Sequence, residues 1–349
     1  MTAIATTPAP PHVSALDFAA LRREVKAAGL LAPRPLAYLR TSAWVLVALF
    51  ACWFAVVLLG TSWWQLLVAG ALGVVWTQIG FLGHDAAHHQ VLRGSRGADV
   101  LGLITANLSL GLSHTWWGEK HNAHHAHPND LQRDPDVGLG AIVFDAGQAE
   151  DRRGVARSIA RHQGVLFLPL LTLEGLNLQV ASARSLLRRP GRSSTFELGL
   201  LLLHHAAYVS ALLLLLPLPQ AFAFFGVHQA VFGLYLGMSF APNHKGMPLL
   251  TDNERGDHLR SQVLTARNVR GGPVVDVLLG GLNYQVEHHL FPMMPRHSLR
   301  AAQPLVRAFC VRAAVTYTET GLLESYRMAL AHLHAVGAPL RAERRGSPA

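Results

Sequence analysis

The chain has 349 residues, half of them hydrophobic and only 15% charged, against the roughly one quarter charged that is usual for a soluble domain. Its formal net charge is +9, and a count of two cysteines excludes a disulfide framework, a cysteine zinc site and a thiolate-held iron–sulfur cluster. No interleaving of aromatic and basic residues accompanies the positive charge, so nucleic acid is excluded as a partner; membrane lipid headgroups or an acidic electron carrier suit such a surface.

In chain order, residues 1–13 are rich in Thr, Ala and Pro and read as disordered. Ser14-Ala15-Leu16-Asp17 has the form of a capping box, and Phe18, Leu21 and Val25 follow at helical spacing. Residues 1–30 therefore read as a disordered start and an amphipathic helix lying on the inner leaflet. From Thr41 to Gly83, and again from Leu198 to His244, there is no Asp, Glu, Lys or Arg. Each stretch is about twice the ~20 residues that a helix needs to cross a bilayer. Gly60-Thr61-Ser62 breaks the first and Pro217-Leu218-Pro219-Gln220 the second. Four spans result, near residues 43–59, 63–83, 198–216 and 221–241, in two hairpins. The first stretch begins late and is long, which marks a retained span rather than a cleaved signal peptide.

Cations decide the orientation. The two short connectors carry none, whereas Arg22, Arg23, Lys26, Arg34 and Arg40 precede the first hairpin and Arg93, Arg96, Lys120, Arg152 and Arg153 follow it. The positive-inside rule puts both termini and the central segment in the cytoplasm. Residues 99–112 are apolar but too short to span, so they form an interfacial or re-entrant segment. The Arg-rich stretch Arg184–Arg192 reads as lipid-facing rather than as a phosphate site. Residues 31–318 form the membrane domain, and 319–349 a C-terminal helix and polar tail.

The 20 histidines cluster. His84-Asp85-Ala86-Ala87-His88-His89 follows the second span, and His121-Asn122-Ala123-His124-His125 lies in the central segment. His244 closes the fourth span after Asn243, and Gln285-Val286-Glu287-His288-His289 comes later. Residues three and four apart share a helix face, so His84 and His88 project together, as do His121, His124 and His125; Gln285, His288 and His289 repeat that pattern. Imidazole suits iron, zinc, copper or nickel, so spacing proposes a metal without naming it. His84, His88, His121, His124, His125, His244, His288 and His289 are too many ligands for one ion and enough for two. As neighbour of His88, His89 points elsewhere on the helix and stays undecided. His114 and His127 suit supporting or surface roles, and His204 and His205 read as neutral residues bonded between helices. His228 is undecided, while His12, His162, His258, His297, His332 and His334 read as solvated.

The boxes HDAAH, HNAHH and QVEHH, in this order and with matching spans, resemble those of membrane fatty-acid desaturases. Gln285 within Asn283–Pro292, Trp116-Trp117 before Lys120-His121-Asn122, and Pro242-Asn243-His244-Lys245 are similar to the front-end and bacterial linoleoyl-CoA desaturase-like branch. The resemblance runs from about Leu31 to Thr318. It implies an all-α integral membrane fold, with a cytoplasmic helical cap holding a His-rich di-iron site. Two iron ions and O2 would introduce a cis double bond into a fatty-acyl lipid, either acyl-CoA or phospholipid. His244 matches the extra ligand outside the boxes; Asn243 or Gln285 would complete the shell directly or through water. Asp85, Asp130, Asp134, Asp136 and Glu287 suit partners that orient imidazoles. Asp134-Pro135-Asp136 also reads as a turn, and Trp116 and Trp117 as interfacial anchors rather than as lining of a substrate tunnel, the other role open to them. No His-Pro-Gly-Gly haem motif occurs, so a separate ferredoxin or flavoprotein reductase is the expected donor. Two other functions compete: a hydroxylase or ketolase of a fatty acid, alkane or carotenoid, and a His-rich metal transporter, which would place its ligands within the spans.

Overall fold

The computed structural model describes residues 15–138, 140–250 and 257–346. The disorder expected for residues 1–13, and Ser14 of the capping box, lie outside them. Helix α1 (Ala15–Ala27) leads into α2 (Pro35–Leu59), which opens with Pro35 at its first turn, where proline's missing N–H costs no hydrogen bond. The chain turns at Gly60, in the left-handed region at φ +50°, and returns as α3 (Gln65–Ala87). Buried Gln65 donates to Val56 O (2.7 Å) and Gly60 O (2.9 Å), satisfying carbonyls that the end of α2 leaves without helical partners.

Next come α4 (Ser95–Gly102), a π-helical turn at Leu103–Leu108 and α5 (His114–Ala126). After the short α6 (Ala146–Glu150), α7 (Gly154–Leu171) and α8 (Glu174–Arg188) meet at an 85° bend. Helices α9 (Arg192–Leu215) and α10 (Leu218–His244) form the second hairpin. Gln220 at its tip donates to Thr61 O at the tip of the first (2.5 Å), joining the two connectors.

Helices α2, α3, α9 and α10 are each long and apolar enough to cross a membrane, and the bent α7–α8 pair passes the same test if taken together. The expected spans are therefore present, but α2, α3 and α9 outrun the apolar stretches that revealed them, whereas α10 ends with its stretch at His244. Leu214 on α9 and Phe50 on α2 are 84% and 71% exposed, as befits side chains that meet lipid tails. The pair α3 and α10 lies at the centre. A Cβ on Gly73 would come within 2.9 Å of His228 O and Phe232 N, so the missing side chain allows the two backbones to approach.

The rest of the chain covers one end of the spans. Helices α11 (His258–Leu264), α12 (Pro273–Leu278), α13 (Gln285–Leu290) and α14 (Arg296–Arg312) follow, then α15 (Leu322–Val336) and α16 (Ala338–Gly346). Strands β1 (Asn268–Val269) and β2 (Glu319–Thr320) pair in parallel. Leu21 and Val25 of α1 are fully buried in one cluster with Val263, Val286, Met294 and Val306. Phe18 stacks on Phe291, ring centroids 5.7 Å apart. The apolar face of α1 is thus turned to protein, not to the inner leaflet as its amphipathic pattern suggested; periodicity reveals a buried face but not what buries it.

Candidate metal centre

Four helices bring the imidazoles together. His84 sits in the last turn of α3 and His88 just beyond it, while His244 is the last residue of α10. On α5, which Ser113 caps by accepting from Trp116 N (3.1 Å), spacing puts His121, His124 and His125 on one side. Every residue of α13 is buried, including Gln285, Glu287, His288 and His289. The eight histidines singled out by spacing fall into two groups. His84, His88, His121, His125 and His288 form one, and His124, His244 and His289 the other; within each, ligand nitrogens lie within 4.8 Å of one another. The groups adjoin, with His125 and His289 stacked at 4.4 Å between centroids.

Tautomers follow from the partners. In the three-membered group, His244 Nδ1 faces Thr265 O (3.1 Å), His124 Nδ1 faces Asp134 Oδ2 (2.9 Å) and His289 Nδ1 faces Gln262 Oε1 (2.7 Å). Each partner is an acceptor, so each Nδ1 carries the hydrogen and each Nε2 offers a lone pair. Three lone pairs converging in a buried space call for a cation. In the larger group, His84 Nδ1 lies 3.2 Å from Asp85 Oδ1, and Arg296 holds the other Asp85 oxygen. His88 Nε2 and His121 Nε2 approach to 2.8 Å, His121 Nε2 and His125 Nε2 to 3.1 Å, and His125 Nε2 and His288 Nε2 to 3.1 Å. The buried Nε2 atoms of His84 and His289 have no hydrogen-bond partner. Burial first, and the neighbouring imidazoles second, hold His88, His121, His125, His288 and His289 well below the usual histidine range. The neutral, metal-ligating form is the one these surroundings favour.

The other candidates separate. Gln285 reaches the smaller group, its Nε2 3.0 Å from His244 Nε2, and Asn243 Nδ2 donates to Gln285 Oε1 (3.0 Å), so Asn243 orients Gln285. His89 turns away past the end of α3 at φ +54° and belongs to neither group. Asp134 both shapes the turn, accepting from Asp136 N (2.8 Å), and orients His124. Asp136 pairs with Lys120 and lies 3.6 Å from His124 Nδ1. Asp130 Oδ1 accepts from Gln132 N (2.9 Å). Glu287, expected to orient an imidazole, faces other partners: its oxygens accept from Asn268 Nδ2 (2.6 Å) and Tyr317 (2.8 Å). Burial pushes the Glu287 carboxyl up to about 7.

Trp117 is not the interfacial anchor it resembled in sequence: it stacks on His121, 4.5 Å between centroids and 17° between planes. Gln262, Thr265 and Arg296 gave no signal in sequence, because their partners lie far along the chain and no spacing rule links them. Within the spans, His204 faces Leu108 O (2.8 Å) and His228 faces Tyr208 (2.6 Å). Neither belongs to a group of potential metal ligands among the described residues, which weakens the transporter reading.

Four helices apolar enough to span a membrane, ending on two adjoining groups of largely enclosed imidazoles, define an integral membrane protein with a candidate metal centre. The model of the fatty acid desaturase family matches residues 61–321. A Delta(5) fatty acid desaturase of Caenorhabditis elegans is 33% identical over 86% of this chain and 69% of its own length. A Delta(6)-fatty-acid desaturase of the same animal is 30% identical over 80% of the chain and 66% of its length. An acyl-lipid (9-3)-desaturase of Physcomitrium patens is 30% identical over 79% of the chain and 54% of its length. The chain thus matches two thirds of the first two relatives and about half of the third. It belongs to the fatty acid desaturase family, whose members are oxidoreductases of acyl lipids, and its imidazole groups suit an iron site.

Proposed function

We propose that the chain is an O2-dependent desaturase that places a cis double bond in a long acyl chain, using two iron ions. His84, His88, His121, His125 and His288 would hold one ion, and His124, His244 and His289, with Gln285 beside them, the other. The convergence of eight imidazoles in two adjoining groups, with the ligand nitrogens of each within 4.8 Å of one another, carries this reading. Bound iron would supply the O2 activation needed to remove hydrogen from unactivated methylenes. The protein's own contributions are different ones. Asp85, Asp134, Gln262 and the Thr265 carbonyl fix ring orientation, burial excludes water, and four spans enclose an apolar substrate where the rings gather.

The relatives' names refer to the Delta(5), Delta(6) and (9-3) desaturations. On that basis the double bond here enters the carboxyl-side half of the chain. Cations flanking the spans favour an orientation with the site and both termini on the cytoplasmic side, in a bacterial cytoplasmic membrane on this reading, where a ferredoxin or flavoprotein reductase is at hand.

The test is a fatty-acid profile by gas chromatography–mass spectrometry, with double bonds located by derivatisation. The chain and its His124→Ala variant are expressed with a ferredoxin–reductase pair. A new double bond confined to the unmutated chain is expected. A hydroxy acid in its place would make the protein a hydroxylase, and a purified chain without iron would end the oxygenase reading.

A further inference from the structure

Helix α12, outside the four spans, turns an apolar face outward. Val274, Val277 and Leu278 stand three and four residues apart, so they share that face, and they are 70%, 54% and 43% exposed. The charged residue of α12, Asp276, is turned to protein instead, accepting from Gly272 N (3.2 Å) and Asn283 Nδ2 (2.9 Å). Two spanning helices hold the C-terminal end of α12. Gln78 of α3 donates to Val277 O (3.1 Å) and to the Tyr235 hydroxyl (2.8 Å), and Tyr235 of α10 donates to Leu278 O (2.7 Å). Both anchors lie inside the charge-free runs, Gln78 before His84 and Tyr235 before His244. At a rise of 1.5 Å per residue they sit about 9 and 13 Å from the imidazole ends of their helices, toward the connectors.

What covers the outward face follows from that depth. Val74, Gln78 and Phe81 form one stripe along α3. Gly280, at φ +60°, lies against the Phe81 ring, with which a Cβ there would collide, and Gln78 is taken up by α12. Val74, one turn deeper, is 42% exposed on a helix that crosses the membrane, so it meets lipid. The apolar face of α12 thus continues the lipid-facing surface of α3. The backbone agrees. Each carbonyl from Val275 to Leu279 accepts from a donor of the protein: Leu279 N, Gly281 N, Gly280 N together with Gln78, Tyr235 and Leu282 N in turn. Hydrocarbon, which offers no donors, demands such completeness, and water does not.

We propose that α12 is embedded in the membrane leaflet at the imidazole end, where lipid acyl chains cover Val274, Val277 and Leu278. Gly280 and Gly281 join it to α13, so the helix that carries His288 and His289 is moored to lipid as well as to α3 and α10. The proposal needs the spans but not the activity, and its test reads position rather than turnover. The full chain is placed in lipid nanodiscs with a nitroxide on Val277→Cys and, in separate samples, on Val74→Cys as the lipid reference and Arg22→Cys, exposed on α1, as the aqueous one. Power-saturation EPR compares relaxation by O2, which concentrates in lipid, with relaxation by a water-soluble nickel chelate. The O2-to-nickel ratio at Val277 is expected to match that at Val74 and to exceed that at Arg22 several-fold. A ratio like that at Arg22 would overturn the proposal. So would protection of Val277 from both reagents, which would mean that a second copy of the chain, not lipid, covers the face. The unmutated chain gives a second measurement that no substitution can disturb: a diazirine dissolved in the bilayer is photolysed and the labelled residues are mapped by mass spectrometry. Label on residues 274–278 is expected alongside label on α2 and α9; labelled spans with residues 274–278 bare would overturn the proposal.

Discussion

The side chains that orient an imidazole decide which nitrogen meets the metal, and Gln262 does this from outside every His box. Its Oε1 accepts from His289 Nδ1 while its Nε2 donates to His125 O (2.8 Å), so one amide ties an imidazole of the smaller group to the backbone of α5. Replacing it by Leu keeps the volume and removes both bonds. Gln262→Leu is expected to weaken iron binding roughly 10–100-fold, the usual effect of losing a partner that orients a ligand. Chelator competition, scored as iron per chain, measures this. His89→Ala, one residue from a proposed ligand, is expected to keep its iron, because His89 lies in neither group. Iron loss in His89→Ala would mean that the partition into two groups is wrong.

At the scale of elements, the proposed ligands come from α3, α5, α10 and α13, so metal would fasten together helices far apart in the chain. Ligand that binds only the folded state stabilises it by RT ln(1 + [L]/Kd), about 4 kcal/mol at a thousandfold excess over Kd. Iron stripped by chelation is therefore expected to lower Tm by several degrees, and added Fe(II) to restore it; an unchanged Tm would show that the helices hold together without it. A second element-scale prediction concerns Gly73. A Val side chain there would meet the α10 backbone at 2.9 Å, and backbone cannot swing aside as a side chain tip can. Gly73→Val is expected to cost about 1–3 kcal/mol, seen as a lower Tm, and to loosen iron by shifting the end of α3 against that of α10.

What the sequence disclosed at this scale divides by physics. The spans were legible because a charge-free run is a direct statement about solvent. Their ends were not: α2 begins at Pro35 and α9 at Arg192, before the apolar run, because a helix continues for as long as its backbone bonds are made, whatever its side chains meet. Glu197 illustrates the difference. It lies in α9 yet is buried, accepting from Ser113 Oγ (2.7 Å) and Asn107 Nδ2 (3.1 Å), and so secures the segment between α4 and α5. The eight histidines were legible because helical spacing fixes a shared face. Their division into five and three was not, since it depends on how α5 and α13 lie against α3 and α10.

The whole molecule makes one claim that its parts do not, namely which side of the membrane carries the site. The start of α2, the end of α3, the start of α9 and the end of α10 fall at one end of the bundle, and the two connectors meet at the other, where Gln220 bonds to Thr61 O. The bundle is thus polar in charge as well as in shape: cations gather at the imidazole end, and none is in either connector. Both native cysteines are buried, so an added one can report its own position. Thr61→Cys places a thiol at the connector end, and Arg96→Cys and Arg188→Cys place thiols at the site end, all at exposed positions. A membrane-impermeant maleimide applied to intact spheroplasts is expected to label the first and to reach the other two only after lysis. The opposite pattern would turn the imidazole end outward and would require electrons to arrive from outside the cell. Labelling of all three in intact cells would mean that the imidazole end lies in no closed compartment, and the inside orientation would fall with it.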